Sequence, residues 1–129
     1  MAFVNAMPSS KTPSGLLVAP VSTCYIMSDY FKNRSPKCFT SPDEVILCVD
    51  NKQSTYCHLI CALVQREDVV SVFSPYAYPL VQAIRFLETH WKELCNNIRY
   101  GHLSEWITDL GCRDSVSNIL KGPIPKWLI

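Results

Sequence analysis

The sequence predicts an α/β domain of several amphipathic helices and a few short strands. Three observations carry that reading. Two helix-start signals lie in one unbroken run from Thr40 to Arg66. Leu80, Ala83, Ile84, Leu87, Trp91 and Leu94 fall at the spacing of one helix face. Two short apolar stretches, Ala2–Ala6 and Val69–Phe73, have the length and composition of strands.

Taken in order, Ala2 to Ala6 is a first strand, and Met7 to Ser14 is a loop of Pro, Ser and Lys. Leu16 to Cys24 is apolar and β-branched, but Pro20 lies inside it, which predicts an edge strand or extended loop. Phe31 to Phe39 reads as a basic loop. Ser41, Pro42 and Glu44 then form a capping box with proline at the first helical position. The serine oxygen would accept from the amide three residues on, and the glutamate would reach back to the serine amide. Asp50 with Gln53 repeats the arrangement ahead of a second helix, in which Tyr56, Leu59, Ile60, Leu63 and Val64 give one apolar face. Val69 to Phe73 is predicted to be a short buried strand. The long helix follows, its start delayed by Pro79, which in an early turn would remove a donor and crowd the carbonyl of Pro75. It ends near Ile98, with Gly101 as the stop. A last short helix runs from Arg113 to Lys121, closed by Gly122 and Pro123.

Composition narrows the function classes. The 129 residues are one domain's worth of chain, 48% apolar and 18% charged, as in soluble globular proteins. A net charge of +1 with scattered Lys and Arg offers no basic stripe, which disfavours nucleic acid. No apolar run is long enough to span a bilayer, so no membrane partner is expected. Lys11 ahead of Gly15–Val21 has a trace of a secretory leader, but Pro13 and Pro20 interrupt it and no basic segment opens the chain. Seven cysteines, an odd number, argue for reduced thiols in the cytoplasm rather than a disulfide framework. Several sit among apolar neighbours and read as small core residues.

Candidate chemistry is sparse. Cys57, His58 and Cys61 form the one tight cluster of soft ligands, without the second pair a zinc site normally needs. Cys57 and Cys61 are i, i+4 neighbours within the apolar helix face, while His58 points elsewhere, so a packed helix with an incidental histidine is the better reading. His58, His90 and His102 could serve as bases, but no strained turn or orienting acid marks an activated cysteine. Trp91, Trp106 and Trp127 read as packing residues. The serines near Lys11 lack the glycines of a phosphate-cradling loop. Residue by residue, no catalytic constellation and no metal site emerges.

Long ordered runs nevertheless carry a family resemblance. TSPDEVILCVDNKQSTYCHLICALVQRE (Thr40–Glu67), AIRFLETHWKELCNNIRYGHLSEWITDLGCRDSVSNIL (Ala83–Leu120) and GLLVAPVSTCYIMSDYFKNR (Gly15–Arg34) are similar to the N-terminal domain of the plant auxin-responsive acyl-acid amido synthetases. The resemblance implies that residues 1–129 are a single partial α/β domain, an internal fragment of the large N-terminal domain of an adenylate-forming enzyme. Such enzymes activate a carboxylic acid, here auxin (indole-3-acetic acid) or jasmonate, as an acyl-adenylate with ATP and Mg, and pass the acyl group to an amino acid. The fragment falls between the family's phosphate loop and its nucleotide motif. No catalytic or cofactor-binding residue is therefore expected in it, and it is not expected to be catalytic alone. Val21 and Ser22 fall where the family lines its acyl-acid pocket, although auxin-conjugating members carry an apolar residue at the second position. Pro75 falls on another pocket position that is usually aliphatic. The implied partners are a hydrophobic carboxylic acid and either a second copy of the chain or a full-length relative. The competing readings are a small binding or interaction protein derived from the family and a non-functional truncated product.

Overall fold

Prolines and short polar caps decide where this chain turns helical. The computed structural model describes residues 1–34 and 38–121. Pro20, with extended backbone at ψ 148°, ends the first irregular stretch and opens helix α1 (Val21–Ile26). The expected extended run through Cys24 therefore stops at Val18. Strand β2 (Leu17–Val18) pairs antiparallel with β1 (Ser10–Lys11) around a turn in which Gly15 takes φ +88°. Helix α2 (Asp29–Lys32) follows, capped by the Ser28 hydroxyl, which accepts from the Phe31 amide at 3.3 Å.

Helix α3 (Asp43–Ile46) starts one residue later than a capping box at Ser41 requires, because Pro42 is itself extended at the cap position. Ser41 lies outside the helix, buried, and its hydroxyl turns to His58 instead. Helix α4 (Asn51–Val64) keeps half of its expected cap: Asp50 Oδ1 accepts from the amides of Lys52 and Gln53, each at 3.1 Å. The Gln53 side chain does not reach back to the Asp50 amide. Helix α5 (Ala77–Tyr100) begins three residues before Leu80, so Pro79 does not delay it. At the third position of the first turn a proline removes an amide that has no intrahelical acceptor, and Pro75 lies outside the helix, clear of the ring. Gly101, at φ +69°, ends α5 in the left-handed conformation that its missing Cβ allows. Helix α6 (Leu110–Leu120) starts ahead of Arg113 because Asp109 caps it, Oδ1 accepting from the Cys112 amide at 2.9 Å. Gly122, Pro123 and Trp127 lie outside the described residues.

The core is built around α4. Tyr56, Cys57, Ile60 and Cys61 are fully buried, packed between Ala83, Leu94 and Ile98 of α5 and Cys112, Val116 and Leu120 of α6. Cys57 and Cys61 thus occupy the core, as their spacing predicts. Because α4 is enclosed on several sides, its polar residues Gln53, Ser54 and His58 are buried as well. Each has a partner. Ile26, Phe31 and Ile46 make a second small core beneath α1–α3.

The segment after α4, a 3-10 turn at Arg66–Asp68, leads into the predicted buried strand. It forms no buried strand: Val69 enters it with extended backbone, Phe73 makes a single bridge, and Val70 is 98% and Phe73 57% exposed. Phe73 pairs in parallel with Ala2 only, through Phe73 N to Met1 O and Phe3 N to Phe73 O, each 2.9 Å. A strand with a single short partner has nothing to cover its faces. The pair still acts as a partition. Met1, Phe3 and Val72 face a groove on the α4–α5 side, whereas Val4 and Phe73 face a hollow on the other.

Candidate functional site

The three residues marked by the resemblance do not all converge. Ser22 on α1 and Pro75 just before α5 line one hollow of roughly 310 Å³, although 53 residues separate them in sequence. Val21 is 86% exposed on the outer side of α1 and does not line it. Besides Arg34, the remaining walls are Val4 and Phe73 of the strand pair, Tyr25 and Ile26 of α1, Phe31 of α2, and Cys38 and Phe39. The hollow is therefore apolar and largely aromatic.

Arg34 closes one side of the hollow. Its guanidinium carbon sits 3.9 Å from the Phe31 ring centroid and 4.7 Å from that of Phe39, a cation–π arrangement on both. Nη1 donates to the Phe31 carbonyl at 2.8 Å and Nη2 to Asp43 Oδ1 at 2.7 Å. Nε is buried and, among the described residues, has no acceptor. The site thus offers flat apolar walls with a serine hydroxyl and a guanidinium beside them. No carboxylate or histidine lines it. Such a surface can hold an aromatic or aliphatic acid; its one thiol is the exposed Cys38, and no carboxylate or histidine of the lining stands by to activate it. The resemblance marked Ser22 and Pro75, which line this hollow, and gave no sign of Arg34, Phe31 and Phe39. Their only signal is aromatic residues flanking a lone arginine in a loop, which has no periodicity to mark it.

The arrangement nearest to a metal centre among the described residues is Cys48, Asp109 and Cys112, whose ligand atoms lie within 4.8 Å of one another. Each is already engaged as a core group. Cys48 Sγ donates to the Asp50 carbonyl and Cys112 Sγ to that of Glu44, while Asp109 caps α6. Burial pushes the Cys48 and Cys61 thiols up to about 12. The Cys112 thiol is raised by its contact with Cys57 and by burial. These are protonated thiols acting as small apolar side chains.

His58 is not incidental. It is 2% exposed, with Nε2 at 2.8 Å from the Val4 carbonyl and Nδ1 at 2.6 Å from Ser41 Oγ. A carbonyl can only accept, so Nε2 carries the proton and Nδ1 accepts from the serine hydroxyl; the ring is neutral. Burial lowers its pKa to about 4. A second buried network joins α4 to α5 and the turn after it. Asn97 Nδ2 donates to the Tyr56 hydroxyl, Ser104 donates to Glu93, and Trp106 Nε1 donates to Glu93 Oε1 at 2.8 Å. Burial raises the Tyr56 phenol. Burial also opposes ionisation of Glu93, but the hydrogen bonds from Ser104 and Trp106 outweigh it and hold the carboxyl low. Both networks fix helices in place, and neither opens onto the hollow.

Fold and hollow together define a stretch of a larger α/β body that carries part of an apolar acid-sized recess, with no reaction centre among the described residues. Comparison with known proteins gives that body its family. Residues 1–129 match the GH3 family N-terminal domain along their whole length, and the chain belongs to that family. It is 53% identical over 129 residues to the 4-substituted benzoates-glutamate ligase GH3.12 of Arabidopsis thaliana, covering 98% of this chain and 22% of the relative. It is 52% identical over 119 residues to the indole-3-acetic acid-amido synthetase GH3.17 of the same plant, covering 90% and 20%. Among solved structures, the GH3.15 acyl acid amido synthetase superposes with a TM-score of 0.84 at 38% identity, over 98% of this chain and 22% of that one. The chain therefore spans about a fifth of the length of the relatives it matches, and its few strands and packed helices are a partial copy of their α/β fold.

Proposed function

We propose that this chain is a segment of an acyl-acid amido synthetase and forms one wall of its acyl-acid pocket. The observation that carries the reading is the convergence of Ser22 and Pro75, two positions implied by resemblance alone, on one apolar hollow beside Arg34. A hydrophobic acid such as a substituted benzoate or indole-3-acetate would lie against Phe31, Phe39 and Phe73, with its carboxylate toward the Ser22 hydroxyl. Jasmonate is a further acid of this size class. The acyl-adenylate chemistry and the transfer to an amino acid belong to a whole synthetase acting in the cytoplasm with ATP and Mg.

The described residues offer no cradle for a nucleotide. Among those described, the left-handed glycines are Gly15 in an exposed turn and Gly101 at a helix end, and the start of α4 is already filled by Asp50. Transition-state charge on phosphate needs preorganised donors and a metal. The chain by itself thus binds and positions, and does not catalyse.

Titration of the chain with 4-hydroxybenzoate and indole-3-acetate, followed by two-dimensional NMR, is expected to shift Ser22, Tyr25 and Phe73 together. Ser22→Trp, which fills the hollow, is expected to abolish those shifts. Saturating acid that moves none of these resonances overturns the pocket assignment. Pyrophosphate release by the chain alone, dependent on both ATP and acid, overturns its non-catalytic character.

A further inference from the structure

The groove on the α4–α5 side holds roughly 480 Å³ and is walled by Phe3, Leu59, Leu63, Val72, Leu80 and Ile84. Val72 is 54% and Ile84 50% exposed there, and both would be core residues if anything lay against them. The strand pair beside the groove is also unfinished. Phe73 spends its N–H and C=O on Met1 and Phe3. In a parallel ladder alternate residues turn these groups to opposite sides, so those of Val72 and Ser74 face the far edge. Among the described residues neither has a backbone partner. Parallel strands are ordinarily buried on both faces and joined by long crossovers, so one parallel bridge implies further strands contributed from elsewhere.

We infer that this groove and open edge seat the remainder of a GH3-family domain: a parallel strand beside Val72, and apolar side chains in the groove. The occupant follows from length and superposition. The 0.84 TM-score is reached inside a chain of which this one covers 22%, so the same geometry persists with the other roughly four-fifths of that chain around it. A segment that keeps its shape within a larger body, yet displays a half-exposed apolar groove and an unpaired edge side by side, displays the surface that the body covers. The inference rests on reading the chain as an amido synthetase segment, and it adds where the rest of the enzyme attaches.

The test places this chain, in place of the matching stretch, within the benzoate–glutamate ligase of Arabidopsis, and compares it with the free chain by amide hydrogen exchange. Within peptides covering Ser71–Ser74, the amides of Val72 and Ser74, unlike the hydrogen-bonded amide of Phe73, are expected to exchange freely in the isolated chain. In the chimera they are expected to slow by at least ~100-fold, as for an edge drawn into a sheet. Ile84→Asp is expected to leave the free chain soluble and folded but to abolish soluble chimera. Three results overturn the inference: equally fast exchange of Ser71–Ser74 in a folded chimera, a chimera that does not fold although the parent enzyme does, or a free chain already dimeric with the edge protected, which would give the groove to a second copy. A chimera that protects the edge but forms no acyl–amino acid product leaves the inference standing and fails the functional reading alone.

Discussion

Ser41 shows why single residues are read wrongly from local pattern. Its place ahead of Pro42 and Glu44 satisfies a capping box, and nothing nearby in sequence contradicts that. The competing partner, His58, lies 17 residues on and arrives only when α4 packs against the α3 entry. For a buried hydroxyl, a buried imidazole acceptor at 2.6 Å outweighs a cap that the extended backbone of Pro42 puts out of register. His58 was legible as a residue on the helix, but its burial was not. A measurable pH dependence follows. The folded pKa lies near 4, below the usual 6.5, so between these values the unfolded chain binds more protons than the folded one. Stability is therefore fully present above about pH 6.5 and is lost as the pH falls toward 4. Chemical denaturation at pH 7 and pH 5 is expected to differ by about 2 kcal/mol from this group. The difference is expected to shrink in His58→Gln, whereas a variant that keeps the full drop would place its origin elsewhere.

At the scale of elements, the existence of α3 to α6 was legible, whereas α1 and α2, in a stretch read as extended or loop, and the helix entries were not. The apolar stripe of α5 and the Gly101 stop are local signals, and both hold. The starts of α5 and α6 depended on which first-turn amides need acceptors, and the amides just ahead of α6 find theirs on another helix. Gln53 illustrates this. From the first turn of α4 its Oε1 accepts from the amides of Thr108 and Asp109, each at 3.0 Å, while Nε2 donates to Asp50 and to Thr108 Oγ1, each at 3.1 Å. A side chain expected to cap its own helix in fact holds the entry to α6, 55 residues away in sequence. Gln53→Ala strands two backbone donors in a part-buried site. The expected cost is about 2–4 kcal/mol, read as a lowered denaturation midpoint. A loss below about 0.5 kcal/mol would show that water replaces the glutamine oxygen without penalty.

For the molecule as a whole, spacing marked the apolar face of α4, but only the fold shows that α5 and α6 cover it. The exposure of Val69–Phe73 could not be anticipated, because the composition of a buried strand reports the sheet in which it belongs rather than the strands present beside it. The candidate hollow was half legible: Ser22 and Pro75 came from resemblance, while Arg34 and its aromatic neighbours required the fold. The thiols test the whole arrangement at once. Cys24 and Cys38 are exposed, whereas Cys48, Cys57, Cys61 and Cys112 are buried. Under native conditions an alkylating reagent mapped by mass spectrometry is expected to label the first two promptly and the other four only after denaturation. Prompt labelling of Cys57 or Cys61 would mean that α4 is not the centre of the molecule. The strand pair gives the last consequence. Phe3 and Val72 touch the groove and Val4 and Phe73 the hollow, so one thin partition is wall to both. An occupant that shifted this partition from one side would reshape the wall of the other. By thermodynamic reciprocity, occupants of the groove and of the hollow would then change each other's affinity by the same factor, with no contact between them.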